Sequence, residues 1–225
     1  MQRGMMIRIG SAVTLSACLW SPHAVAAGLP TISPARAVAR PGPIERGSDA
    51  EAEPLVGTPA PALPSLPWLD GVARDSRSLE GRVVVIRTFT NACPFCAATM
   101  PTLDRIHREY ADRGLVVLGV YHPKPPRPTA ATDVATLAGS LGITFPVAID
   151  TEWRLVDGWW LARVESAWTS ITWVLDRRGT IRYVHPGGEY HDGGGPAHAR
   201  CRRDARALRR VIDELLAEPG AASSR

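Results

Sequence analysis

The sequence is nearly devoid of lysine. Of its 26 basic side chains one is a lysine, Lys124, and the other 25 are arginines scattered among 22 acids. No basic stripe interleaved with aromatics is present, which argues against a nucleic-acid surface. Long apolar runs are missing as well. None reaches the roughly 18 residues that a membrane-spanning helix needs. Cysteine is scarce, four in 225 residues, so a disulfide scaffold is excluded. Disorder throughout is excluded too, because apolar residues make up 45% of the chain and charged ones 21%.

What is present begins with a leader. Residues 1–27 carry Arg3 and Arg8, then a short apolar stretch from Ile9 to Trp20, the pattern of an export signal. Two exits are written into it. Ala24-Val25-Ala26 is a small-x-small site for cleavage after Ala26. Leu15-Ser16-Ala17-Cys18 resembles a bacterial lipobox, in which Cys18 would be lipidated and become the mature N-terminus, a tether to the membrane. Either exit implies a periplasmic or other extracytoplasmic protein, where cysteine pairs can be oxidised. Removing residues 1–26 takes away Arg3 and Arg8 and no acid, so the formal charge falls from +4 to +2. The basic balance therefore carries little functional message.

Residues 28–53 are rich in Pro, Ala, Gly and Arg without apolar periodicity, and are expected to be a disordered linker. A globular domain is expected over 54–218, followed by a disordered tail over 219–225. Val83-Val84-Val85-Ile86 reads as a strand buried on both faces. Cys96 to Asp112 has helical spacing through Met100, Leu103, Ile106 and Tyr110, with Gly114 beyond its end. Leu115 to Tyr121 is a second buried strand. Asp133 is expected to cap a helix closed by Gly142. Phe145 to Ile149 is a short strand. Thr172–Leu175 and Ile181–Val184 flank a turn as a hairpin. His198 to Leu216 is a last amphipathic helix. This order predicts an α/β fold with a central mixed, mostly parallel sheet between helices, in which the C-terminal hairpin supplies antiparallel strands.

The chemistry sits at the end of the first strand, in Thr88-Phe89-Thr90-Asn91-Ala92-Cys93-Pro94-Phe95-Cys96. Cys-x-x-Cys opening a helix after a strand is a redox motif. Cys93 falls at the helix N-cap, where free backbone N–H groups and the helix dipole favour a thiolate. Pro94 at the first helical position costs no hydrogen bond. Cys96, one turn deeper, is placed to attack a mixed disulfide on Cys93. Half a zinc site has the same spacing, but a second Cys-x-x-Cys is lacking. A purely structural disulfide closing so short a loop would stabilise little.

With these residues in view, the chain resembles the thioredoxin-like family, specifically exported TlpA/ResA-type and DipZ-type disulfide oxidoreductases. The resemblance covers about residues 54–217. It is carried by Gly57-Thr58-Pro59-Ala60-Pro61, by Leu79-Glu80-Gly81-Arg82-Val83-Val84-Val85, by Cys93-Pro94-Phe95-Cys96 with Pro101 after it, by Gly119-Val120-Tyr121-His122, by Phe145-Pro146-Val147-Ala148-Ile149-Asp150 and by Trp173-Val174-Leu175-Asp176-Arg177-Arg178-Gly179-Thr180-Ile181. It implies a thioredoxin fold with Cys93 as attacking and Cys96 as resolving thiol. It implies no organic cofactor, protein thiols and disulfides as partners and, for the reductive direction, a membrane electron donor.

Three positions depart from the family pattern. Ala92 stands where tryptophan is usual. Arg87 stands where many members bury an acid. A cation there would stabilise a thiolate and make the disulfide more oxidising, unless Arg87 reaches solvent or pairs with an acid. Family resemblance leans to reduction and Arg87 to oxidation, so the direction stays open. Ser170 replaces the family's cis-proline beside the motif. A non-proline cis bond costs about 3 kcal/mol, so a trans peptide and an altered substrate groove are expected. Loss of that proline also keeps a copper- or zinc-binding module in play.

Beyond the motif, Cys201 shares a helical stripe with His198, Ala205, Leu208, Ile212 and Leu215 and is expected to be a small core residue. Two further roles stay open for it. With His191 and His198 it could supply soft ligands for a metal, or it could act as a second redox thiol. His122 ends the second strand, either at the sheet edge where ligands of parallel sheets bind or, more commonly for such a histidine, as a loop residue hydrogen-bonded locally. Of Trp153, Trp159, Trp160, Trp168 and Trp173, most are expected in the core, and one or two are candidates to line a groove for a peptide-like partner. Thr90 at Thr-x-x-Cys echoes a thiol peroxidase.

Overall fold

The computed structural model describes residues 49–91 and 93–219. The leader with Cys18 and its cleavage site, most of the linker, and the tail from residue 220 lie outside the described residues. Five helices occur among them: α1 (Asp49–Ala52), α2 (Pro94–Tyr110), α3 (Ala131–Ser140), α4 (Arg154–Val156) and α5 (Ala199–Ala217). Five strands, β1 (Val83–Phe89), β2 (Leu115–Tyr121), β3 (Val147–Ile149), β4 (Ile171–Leu175) and β5 (Ile181–Pro186), form one sheet in the order β3-β2-β1-β4-β5.

The sheet is mixed. β1 pairs in parallel with β2, and β2 with β3, whereas β4 runs antiparallel to both β1 and β5. This is the mixed sheet that the sequence predicts: β1, β2 and β3 are parallel, and the closing hairpin supplies the antiparallel pairings. β1 is buried along its whole length, as its unbroken β-branched run requires of a strand covered on both faces. Val83, Val85 and Phe89 point into one core with α2, α3 and α5. Val84 and Ile86 point into the other, against Leu55, Leu63, Trp68, Leu155, Trp160 and Trp173. This alternation is the period-2 geometry of a strand.

Two boundaries shift. The fold starts before residue 54: α1 and a following 3₁₀ turn bury Ala52 and Leu55 in the second core. The segment's proline and charge hid these two apolar anchors. α3 begins at Ala131 with Ala130 as its N-cap rather than at Asp133, whose carboxylate lies in the first turn, where the helix dipole favours it. The segment from Trp153 through a π-helical turn at Asp157–Leu161 buries Trp159 and Trp160, a helical element without a readable sequence period.

Candidate active site

β1 delivers the chain to the Cys93-Pro94-Phe95-Cys96 turn, and α2 begins there. Cys93 is the N-cap in extended conformation and Pro94 the first helical residue. The backbone N–H of Cys96 donates to Cys93 Sγ at 3.2 Å, satisfying one orphan donor of the helix end. Cys93 is partly exposed, whereas Cys96 is buried with 1% of its surface accessible. The attacking sulfur thus faces outward and the resolving sulfur stands behind it.

Ser170 closes the site from the start of β4. Its peptide bond is trans, since among the described residues the one cis bond is Lys124–Pro125. Ser170 Oγ lies 3.3 Å from Cys96 Sγ and 3.8 Å from Cys93 Sγ. A hydroxyl therefore contacts both sulfurs where a proline would offer only carbon. Thr88 Oγ1 accepts from the Ile171 N–H at 2.8 Å and donates to the Thr169 carbonyl at 2.8 Å, fixing the Ser170 segment to β1.

Arg87 lies on the β1 face that carries α2, with 0% exposure. Neither reading that would neutralise it holds. It does not reach solvent, and among the described residues no carboxylate forms an ion pair with it. Its guanidinium donates to Thr172 Oγ1 at 3.1 Å and to the Gly188 carbonyl at 3.4 Å, and it sits 5.7 Å from the Tyr190 ring centroid. Its Nε has no hydrogen-bond partner. Burying a cation without an acid is costly, so its charge is available to the sulfurs.

The two thiols titrate as a pair. The hydrogen bond between them dominates: it holds Cys96 down and pushes Cys93 up, so one sulfur of the pair ionises readily and the second proton is held tightly. Burial opposes charge at both sulfurs, while the Arg87 guanidinium favours it at both. Ser170 adds a further hydrogen bond that favours the Cys96 thiolate. Exposure then decides which sulfur meets a partner, and that is Cys93.

Around the exposed sulfur, Pro94 is exposed and Phe95 half-buried. The Phe95 ring packs edge-on to Trp168, with centroids 6.5 Å apart at 75°. Gly187 backs Trp168 so closely that a Cβ there would stand 2.3 Å from the indole. Trp168 is thus the tryptophan placed at the motif. Trp159, Trp160 and Trp173 are core.

His122 lies at the end of β2 but is buried, and neither ring nitrogen has a hydrogen-bond partner. Burial, aided by the charges of Lys124 and Arg87, lowers its pKa to about 3. It is a neutral ring packed edge-on to Trp153 at 5.2 Å, not a ligand at the sheet edge. Cys201 is no core residue. Its sulfur faces Glu189 and His198 in a partly exposed cluster that also holds His191. Sequence reasoning overlooked Glu189, Tyr190 and Gly188. They lie in a glycine-rich loop without periodicity, and only the fold carries them to Arg87 and Cys201.

A family model described as the AhpC/TSA family matches residues 56–184. The chain belongs to the AhpC/TSA family. The match runs through β1, the cysteine pair and most of β5. Relatives include the protein DipZ of Mycobacterium bovis, 30% identical over 118 residues, 52% of this chain and 16% of that protein. The thiol-disulfide oxidoreductase ResA of Halalkalibacterium halodurans is 26% identical over 120 residues, 53% of this chain and 62% of that one. The matched region thus spans less than two thirds of either relative. The fold of this AhpC/TSA member is thioredoxin-like. A thiol:disulfide interchange protein of the thioredoxin family from Chlorobium tepidum TLS superposes with a TM-score of 0.52 at 20% identity, covering 71% of this chain and 97% of that one.

Proposed function

We propose that the protein is an exported thiol:disulfide oxidoreductase that exchanges disulfides with other proteins through Cys93 and Cys96. The observation that carries this reading is the asymmetry of the pair. Cys93 is partly exposed at a helix N-cap and accepts the Cys96 N–H, while Cys96 is buried one turn behind it. In the reducing direction the proton shared by the two sulfurs passes to Cys96, and the Cys93 thiolate so formed attacks a partner disulfide, forming a mixed disulfide and releasing one partner thiolate. Cys96, deprotonated, then attacks Cys93 Sγ, forming the Cys93–Cys96 disulfide and releasing the second. Two electrons and two protons pass to the partner. The reverse sequence oxidises a partner dithiol. The acid-free Arg87 stabilises the thiolate form and raises the potential of the couple, so oxidation of partner dithiols is the favoured direction. Export rests on the pattern of residues 1–27.

The names DipZ and ResA support the same chemistry. A peroxidase would need an arginine and a threonine turned toward Cys93. Here Arg87 lies buried beneath the pair and Thr90 Oγ1 donates to Asn91 Oδ1 at 3.2 Å. The test is trapping. Cys96→Ser should accumulate a mixed disulfide between Cys93 and partner proteins in an extracytoplasmic extract, and Cys93→Ser should trap none. A protein that traps nothing, yet turns over peroxide in a Cys93-dependent way, would overturn the proposal.

A further inference from the structure

Away from the cysteine pair, four side chains of different chemistry converge on one point. His191 Nε2 lies 3.1 Å from His198 Nδ1 and 3.7 Å from Glu189 Oε1. His198 Nδ1 lies 3.5 Å from the same carboxylate oxygen and 3.8 Å from Cys201 Sγ. Cys201 Sγ lies 3.5 Å from Glu189 Oε1. All four donor atoms fall within 4.8 Å of one another. Tetrahedral zinc, with bonds of about 2.0–2.3 Å to nitrogen, oxygen and sulfur, places its donors about 3.3–3.6 Å apart. Five of the six separations bracket that value.

The surroundings orient these atoms as a metal shell requires. His191 Nδ1 lies 3.1 Å from the Gly193 carbonyl. A carbonyl can only accept, so Nδ1 carries the proton and Nε2 presents its lone pair to the cluster. Such a backbone contact is the usual outer-shell support of a histidine ligand. The loop between the two histidines is built to bring them together. Gly194 adopts φ +85°, and a Cβ there would stand 2.6 Å from the His198 ring. Arg202 donates to the carbonyls of Gly194 and Gly195 at 2.8 and 2.9 Å, holding the loop against α5. His198, the N-cap of that helix, and Cys201 in its first turn lie three residues apart. Among the described residues, the ion-pair partners of Glu189 are these two histidines. A carboxylate and a thiolate together balance the charge of a divalent ion.

We propose that Glu189, His191, His198 and Cys201 form a four-ligand site for a tetrahedral divalent transition-metal ion, with zinc the ion that two imidazoles, a thiolate and a carboxylate suit best. Binding releases the Cys201 proton to solvent, forms an S–metal bond and involves no redox change. All four positions come from the protein, so the site is structural. It clasps the loop after β5 to the start of α5. That loop also carries Gly188 and Tyr190, two of the three contacts of the Arg87 guanidinium. The ion also gives Cys201, the one cysteine among the described residues outside the Cys93–Cys96 pair, a partner other than a disulfide.

The test uses Co²⁺ as a spectroscopic stand-in for Zn²⁺ on the reduced full chain. The expected result is one Co²⁺ per chain, with visible bands of tetrahedral intensity and a thiolate-to-cobalt charge-transfer band, all displaced by Zn²⁺. The charge-transfer band should vanish in Cys201→Ser and persist in the Cys93→Ser/Cys96→Ser double variant. His198→Ala, which removes a partly exposed ring and leaves the core untouched, should lose the tetrahedral spectrum. Zn²⁺ should also protect Cys201 from alkylation. Absence of Co²⁺ binding, a charge-transfer band that survives Cys201→Ser, or one lost in the double variant would each overturn the proposal. The double variant also separates this site from the redox reading, since it abolishes exchange while leaving the four ligands intact.

Discussion

The hydroxyl of Ser170 stands 3.3 Å from the sulfur of Cys96. A hydrogen bond to a charged group contributes about 1.5–3 kcal/mol, and one pKa unit corresponds to about 1.4 kcal/mol. Ser170→Ala should therefore raise the first ionisation of the cysteine pair by about one to two units. The pH dependence of alkylation by a small haloacetamide reads this directly: the rising limb should move to higher pH. An unmoved limb would show that the hydroxyl contacts the sulfurs without stabilising their charge.

How much of this site was legible in the sequence follows physical lines. Cys93 and Cys96 could be placed because a strand, an N-cap and a first-turn proline are local features. β2 was placed to the residue, since its apolar run is unbroken. Ser170 could be singled out as a departure, but its contact with both sulfurs depends on the β1–β4 register, which no local pattern encodes. Cys201 was placed on the apolar stripe of α5, correctly for Ala205, Leu208, Ile212 and Leu215. At the first turn the stripe runs past the core into the Gly193–Gly195 loop. The spacing of Glu189, His191, His198 and Cys201 is irregular because a loop, not a helix, closes the cluster.

Arg87 supplies the second prediction. Its buried charge favours the thiolate at both sulfurs. Arg87→Met should raise the first ionisation by on the order of one unit and lower the reduction potential by about 30 mV, the two-electron equivalent of that change. Arg87→Lys keeps the charge and should stay near the parent potential if it folds. Equilibration against glutathione buffers measures both. Equal potentials in the Met variant and the parent would remove Arg87 from the redox argument.

His122 makes acid stability pH-dependent. Its pKa is about 3 in the fold against an ordinary 6.5, so the unfolded chain binds a proton that the folded chain refuses between those values. Stability from the neutral ring is fully present above pH 6.5. It falls as pH drops toward 3, with a limiting slope of about 1.4 kcal/mol per pH unit. His122→Leu removes the titrating group, so urea denaturation of the variant should show a shallower loss between pH 6.5 and 4 than the parent. Parallel curves would mean that other groups govern acid unfolding. Alkylation of Cys93 should be unchanged in the variant above pH 6.5, where the ring is uncharged in both states.

Gly187 provides a test of the groove. It has φ +77° and faces the Trp168 indole, which a Cβ would meet at 2.3 Å. Gly187→Ala therefore combines left-handed backbone strain with overpacking and should destabilise the fold by about 1–3 kcal/mol in chemical denaturation. Relief requires Trp168 to move from its edge-on contact with Phe95. If these two rings form the wall against which a partner chain lies, the variant should exchange with a protein disulfide several-fold more slowly. Its rate with a small disulfide such as oxidised glutathione should be kept, because that reaction needs only the exposed Cys93 sulfur. Equal slowing of both reactions would place the effect on the cysteine pair itself and exclude Trp168 from partner binding.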